Sequence, residues 1–151
     1  MRFRTDIHLT DDGDLVLEQI LGSGGEPLTD WQGTPIRDFS IAQDRQVATQ
    51  GSMCRIKTQI SDWRVFPTLG ADLERFIGEL NTPETAELIV ENIRHSLIYD
   101  FFIDRNKLEV YAVPVNENEV IFYIRIEYHQ DAPMVFAIPF DYYKGIGGQE
   151  D

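Results

Sequence analysis

The stretch Ser61-Asp62-Trp63-Arg64-Val65-Phe66-Pro67-Thr68-Leu69-Gly70-Ala71-Asp72-Leu73 lies between two helical patterns and decides how they are joined. Pro67 fixes its own φ and pushes Phe66 toward an extended conformation, so a helix arriving from the N-terminal side stops between Trp63 and Phe66. Gly70 permits a turn that side chains forbid. The spacing Trp-x-x-x-Pro-x-x-Gly-x-x-Leu, carried by Trp63, Pro67, Gly70 and Leu73, predicts a knot that redirects the chain between helices and is pinned by a buried Trp63.

Upstream of the knot, Asp44 to Ile60 lacks proline and places Val47, Cys54 and Ile60 near one helical side, with Met53, Ile56 and Trp63 extending it. Gly51 weakens that helix by up to about 1 kcal/mol relative to alanine, which predicts close packing or a local break there. Downstream, Ala71 to Leu80 fits a short helix burying Leu73, Phe76, Ile77 and Leu80. The best-marked element follows at Asn81-Thr82-Pro83-Glu84. Thr82 is suited to cap the exposed amides, Pro83 suits the first helical position, and Glu84 and Glu87 favour the positive helix terminus. Ala86, Ile89, Val90, Ile93 and Leu97 continue one apolar stripe and predict a helix reaching about Tyr99.

Beyond the turn at Asp104-Arg105-Asn106 the period changes from helical to alternating. Leu108, Val110 and Ala112 fall on one face of a strand, and Val120, Phe122, Ile124, Ile126 and Tyr128 on one face of the next. Asn116-Glu117-Asn118 between them supplies turn chemistry, so residues 107–128 read as an antiparallel hairpin. Met134 to Phe140 extends the sheet, with Pro139 confined to an edge, a strand end or a bulge. Gly145 to Asp151 reads as a frayed tail.

At the other end, Phe3, Thr5, Ile7 and Leu9 alternate loosely before Asp11-Asp12-Gly13-Asp14 and Leu15-Val16-Leu17, an expected N-terminal hairpin. Gly22, Gly24, Gly25, Pro27, Gly33 and Pro35 then break regular structure and predict a flexible arm, with Trp31 as its anchor, either on the chain's own core or in an interface. The fold class expected from these patterns is α+β: a small helical layer packed on an antiparallel sheet. One domain spans 1–151, divided into the hairpin and arm (1–35), a core (36–128) and a C-terminal strand and tail (129–151).

Composition narrows the functions. A chain of 151 residues with 42% hydrophobic and 26% charged residues is long enough to bury a core without disulfides or metals. No run approaches the roughly 18 apolar residues of a membrane span, and Met1-Arg2-Phe3-Arg4-Thr5-Asp6 meets an acid before any signal-peptide core forms. The net charge of −13 repels nucleic-acid phosphates and anionic lipid surfaces, and favours a basic protein partner or plain solubility. Cys54 is the only cysteine, and its apolar neighbours suggest a buried thiol.

The order of short strand, helix, Trp-Pro-Gly knot, short helix, longer helix and hairpin, over roughly residues 37 to 128, resembles the baseplate wedge or sheath-initiator family of contractile phage tails, which has a counterpart in the type VI secretion baseplate. Members of that family often carry Glu-Pro-Arg between the long helix and the hairpin. Here Ile103-Asp104-Arg105 occupies the place, keeping the arginine, moving the acid and losing the proline. A polar turn is the plain alternative for Asp104 and Arg105. The resemblance implies a virion structural subunit, assembled in the host cytoplasm and present in several copies around a ring. Its implied partners are other wedge proteins, the central hub and spike, and tail sheath subunits, and no cofactor is implied. A sheet edge on the hairpin 107–128 and the run 134–140 is the expected working surface, because unpaired backbone groups accept an extended arm with little dependence on its sequence; an ordinary closed or guarded sheet is the plain alternative. Met134, Phe136, Ile138 and Phe140, together with Trp31, Asp104 and Arg105, are the candidate interface residues.

Two other classes compete with that one. A small acidic adaptor that masks a partner's basic surface would use the same charge. A lysozyme-like glycoside hydrolase would need one carboxyl of raised pKa opposite a second carboxylate, but Glu74, Glu79, Glu84, Glu87 and Glu91 fall on solvated helix faces or helix starts. His8, His95 and His129 lie on different predicted elements with no ligand spacing, and Gly22-Ser23-Gly24-Gly25 lacks the lysine of a phosphate loop. No catalytic, cofactor or metal residue is therefore assigned.

Overall fold

The computed structural model describes residues 6–7, 17–19, 21, 23–29, 32–35, 37–39, 41–42, 45–127 and 132–147. They form an α+β fold with two α-helices and a four-stranded antiparallel sheet, beside two small ladders. Arg2–Gly51 makes one unit and Ser52–Asp151 belongs to the other.

In the first unit, β1 (Asp6–Ile7) pairs antiparallel with β4 (Ile41–Ala42), and β2 (Leu17–Gln19) with β3 (Arg37–Phe39). This corrects the expected N-terminal hairpin, since each of these strands finds its partner in 37–42 instead of in the other. The Gly/Pro-rich segment is the physical reason. Gly25 at φ 79 reverses the chain between the bridged Leu21 and Pro27, and Gly33 at φ 82 reverses it between the bridged Thr29 and Pro35. These two turns carry 37–42 back alongside β2. Trp31 lies outside the described residues.

Helix α1 (Arg45–Lys57) runs unbroken through Gly51. Its buried line is Ala48, Ser52 and Ile56, four residues apart, and not the side carrying Val47, Cys54 and Ile60. Cys54 is exposed, which overturns the buried-thiol expectation; small Ala48 and Ser52, not the sulfur, mark the close-packed face.

The second helix, α2 (Pro83–Ile98), follows the sequence pattern closely. The Thr82 hydroxyl accepts a hydrogen bond from the Thr85 amide at 3.2 Å, satisfying one of the unpaired donors of the first turn, and Pro83 needs none. Ile89, Ile93 and Leu97 are fully buried, each adding about 1.5–3 kcal/mol of hydrophobic stabilisation. Between α1 and α2 the expected helix at 71–80 shrinks to one 3-10 turn, Leu73–Phe76. Leu73 and Phe76 are buried as expected, but Ile77 and Leu80 are exposed. Ile77 turns extended and Gly78 adopts φ 91, letting the Gly78 amide bond the Tyr142 carbonyl at 2.6 Å, so the chain leaves the helix for the end of the sheet.

The sheet is ordered β5 (Leu108–Pro114), β6 (Glu119–Ile126), β7 (Met134–Asp141) and β8 (Gly145–Ile146). Residues 145–146, expected in a frayed tail, thus pair with the end of β7. Leu108, Val110, Val120, Phe122, Ile124, Ile126, Met134, Ile138 and Phe140 make a buried inner face, with α2 packed against β5. Phe140 meets Phe122 and Tyr142 edge-on, at ring separations of 6.4 and 5.2 Å.

Candidate functional site

The knot is built from backbone, not from its tryptophan. Ser61 N–H donates to Pro67 O at 2.9 Å, Phe66 N–H to Trp63 O at 3.1 Å, and Leu69 N–H to Phe66 O at 3.0 Å. Gly70, at φ 133, brings its Cα so close to the end of α1 that an added Cβ would lie 2.5 Å from the Thr58 carbonyl oxygen. Ala71 and Leu73 are fully buried behind it. Trp63, by contrast, is 56% exposed, and Val65 and Phe66 beside it are exposed too. Trp63 as buried pin is therefore corrected: Gly70 and Leu73 anchor the knot, and its aromatic loop stands outside.

Among the described residues the β7 edge of the sheet is open, and the side chains expected to face a partner do not point outward from it. Met134, Ile138 and Phe140 point into the core and Phe136 is half-buried, so these four are corrected from a partner-facing row to the inner face of β7. Alternation then puts Val135, Ala137 and Pro139 outside. Pro139 directs its missing N–H away from β6, because its carbonyl accepts from Gly147 N–H at 3.2 Å on the β8 side. By the same alternation, the amides and carbonyls of Val135 and Ala137 point to that side. Among the described residues β8 reaches only Phe140 and Asp141, so the edge from Met134 to Ile138 is unpaired and carries no charge.

Among the described residues the outer face of the same sheet is largely apolar and uncovered. In register across it stand Tyr111, Tyr123 and Ala137, then Val113, Ile121 and Pro139. Tyr111 and Val113 are about half exposed. One polar cluster borders them. Arg125 bonds Glu109 at 2.7 Å, and the Tyr111 hydroxyl donates to the same carboxylate at 2.7 Å. Those two donors hold Glu109 below the usual carboxylate range, while the bond raises the Tyr111 phenol.

The third feature is a corner that periodicity did not reveal. After α2, Asp100 and Phe101 both adopt left-handed backbone, φ 54 and φ 55, and the Phe101 ring is 96% exposed. Arg55 of α1 holds this corner from beneath. Its guanidinium donates to Tyr99 O at 3.1 Å and Ser96 O at 3.4 Å, and stacks 4.2 Å over the Phe102 ring. A cation at these last helical carbonyls also complements the helix dipole. Burial lowers the Arg55 pKa, with Asp100 and Tyr99 opposing the shift. Ile103 tucks in beneath, its N–H on Leu97 O at 3.0 Å. A stripe that ran 93, 97, 101 would have buried Phe101; the left-handed pair ends the helix and puts Ile103 in its place. Asp104 then caps the next turn, accepting from the Asn106 amide at 2.9 Å, and Arg105 is exposed with no ion pair among the described residues. The polar-turn alternative fits Asp104, which is occupied, whereas Arg105 is available.

Between α2 and β5 runs a groove of about 650 Å³ whose apolar walls are Ala86, Val90, Val110, Ala112, Pro114 and Val120. Glu87 stands on its rim, exposed and unpaired among the described residues. The carboxylates weighed for hydrolysis, Glu74, Glu79, Glu84, Glu87 and Glu91, are all exposed, and no three His, Cys, Asp or Glu converge among the described residues. His8 and His129 lie outside them. Among the described residues no helix is long and apolar enough to cross a membrane.

Neither the models of known protein families nor the curated proteins contain a match to this chain.

Proposed function

We propose that this chain is a structural subunit of a contractile-tail baseplate wedge, which starts sheath assembly by presenting a sheet edge to the first ring of sheath subunits. The observation that carries this reading is the edge at Met134–Ile138, uncharged and unpaired among the described residues, on a sheet whose outer face is also largely apolar and exposed. A soluble monomer normally guards such an edge with lysine, proline or a covering loop, because it invites pairing with other chains. An edge intended for an incoming strand must stay bare. The order of elements, from the strands at 37–42 through α1, the knot, a single 3-10 turn in place of the expected short helix, and α2 to the hairpin, supports the reading. The subunit then works by contact, without catalysis, cofactor or nucleic acid, alongside other wedge and hub proteins.

Ala137→Pro tests the edge directly. The substitution removes an outward N–H and places a ring where an added strand must lie, yet spares the pairing with β6, as Pro139 does two residues on. Baseplates assembled with this variant should fail to polymerise sheath while the purified subunit keeps a cooperative melt. Normal sheath growth on the variant would refute this assignment of the edge.

A further inference from the structure

Phe101 and the α2–β5 groove are a knob and a socket on the same chain, and none of the described residues covers the one or fills the other. The knob is a fully displayed ring on a corner that Arg55 holds in left-handed backbone. Non-glycine residues persist there only when their surroundings impose it. The socket, about 650 Å³, exceeds the volume of a phenyl ring several-fold; Ala86, Val90, Val110, Ala112 and Pro114 give it apolar walls, while Glu87, Glu91, Arg94 and Tyr111 also line it. The knob follows the C-terminus of α2, whereas Ala86 and Val90 line the socket from its first half, so a distinct patch on one molecule faces a distinct patch on the next. The charges agree: Arg105, four residues past the knob, and Glu87, on the socket rim, are each exposed and unpaired among the described residues.

We infer that a second copy of this chain occupies the groove, inserting its Phe101 between α2 and β5 with Arg105 meeting Glu87. Such a contact is heterologous. It repeats head to tail and yields a closed ring or an open filament, depending on the rotation between neighbours. This contact is independent of the β7 edge and of the proposed role at the sheath.

Sedimentation velocity of the full chain from micromolar to millimolar concentration tests the inference, at physiological salt, where repulsion between chains of net charge −13 is screened beyond about 8 Å. The wild type should grow in mass with concentration. Phe101→Ala should weaken association about thirtyfold or more, as expected of a hot-spot ring, with an unchanged or higher melting temperature. Ala86→Leu, which fills the socket, should do the same. Mixing the two variants should restore a single one-to-one contact, because one keeps the socket and the other the knob. Arg105→Glu and Glu87→Arg each weaken association and together recover it, a pair of surface changes that leaves the core untouched should Ala86→Leu unfold. A wild type monomeric throughout, or a Phe101→Ala chain that associates like the wild type, overturns the inference.

Discussion

The knot at Thr58–Leu73 and the corner at Tyr99–Ile103 both redirect the chain after a helix and both leave an aromatic ring in solvent, but they are held by opposite means. The knot closes on its own backbone, and its tightest approach is made at Gly70, where no side chain has to be accommodated. Its other left-handed positions, Ser61 and Asp72, carry small polar side chains, of which aspartate tolerates that geometry well. The corner instead puts a phenylalanine in left-handed backbone and uses a half-buried arginine from another helix to keep it there. A turn that only has to turn is made with glycine. A turn that holds a large ring outward against its backbone preference needs support from elsewhere in the chain.

Gly70→Ala is the sharpest test of the first half of this contrast. The new Cβ would stand 2.5 Å from the Thr58 carbonyl oxygen, a backbone atom that cannot swing aside, at a φ of 133 that L residues rarely adopt. We expect a loss of about 3 kcal/mol or more in urea denaturation, in the range reserved for strained backbone and steric overlap. Arg55→Met tests the other half with a smaller effect. It keeps the stem over Phe102 and deletes the bonds to Tyr99 and Ser96, so the expected loss is about 2 kcal/mol. Hydrogen exchange at Ile103, whose amide bonds Leu97 O, should accelerate in that variant more than exchange in β6. A variant as stable as the wild type, with Ile103 still protected, would mean that the corner holds itself.

The same contrast explains what the sequence made legible. Helix α2 and the β5–β6 hairpin were readable because their signals are local: a Thr-Pro start, a stripe of period 3.6 and a strict alternation around Asn116-Glu117-Asn118. The strand at Met134–Phe140 was readable for the same reason, but its large apolar set was placed outside. The most apolar face of an alternating strand covers the core, and it is backbone, which no side chain advertises, that forms the edge. Leu73, Phe76, Ile77 and Leu80 fit a helix by spacing, yet Gly78 and its bond to Tyr142, 64 residues away by subtraction, end it after one turn. Phe101 was hidden likewise, since Arg55, which ends α2 correctly, belongs to a different helix. Local period finds elements; residues distant in sequence decide where they stop.

Trp63→Ala has the smallest expected effect and separates the two accounts of the knot most cleanly. If tryptophan were the pin, its removal would open a cavity and cost about 3–5 kcal/mol, the usual range for a core aromatic. At 56% exposure, with the turn closed by Ser61 on Pro67 and Leu69 on Phe66, most of the ring's surface is already in water. The loss in urea denaturation should stay below about 1 kcal/mol, far less than for Gly70→Ala a few residues on. A result near the core-aromatic range would return the anchoring role to Trp63 and erase the distinction between the two turns. A small loss leaves the exposed loop Trp63–Phe66 as surface that the fold can do without, and therefore free to be altered in binding measurements without disturbing the core.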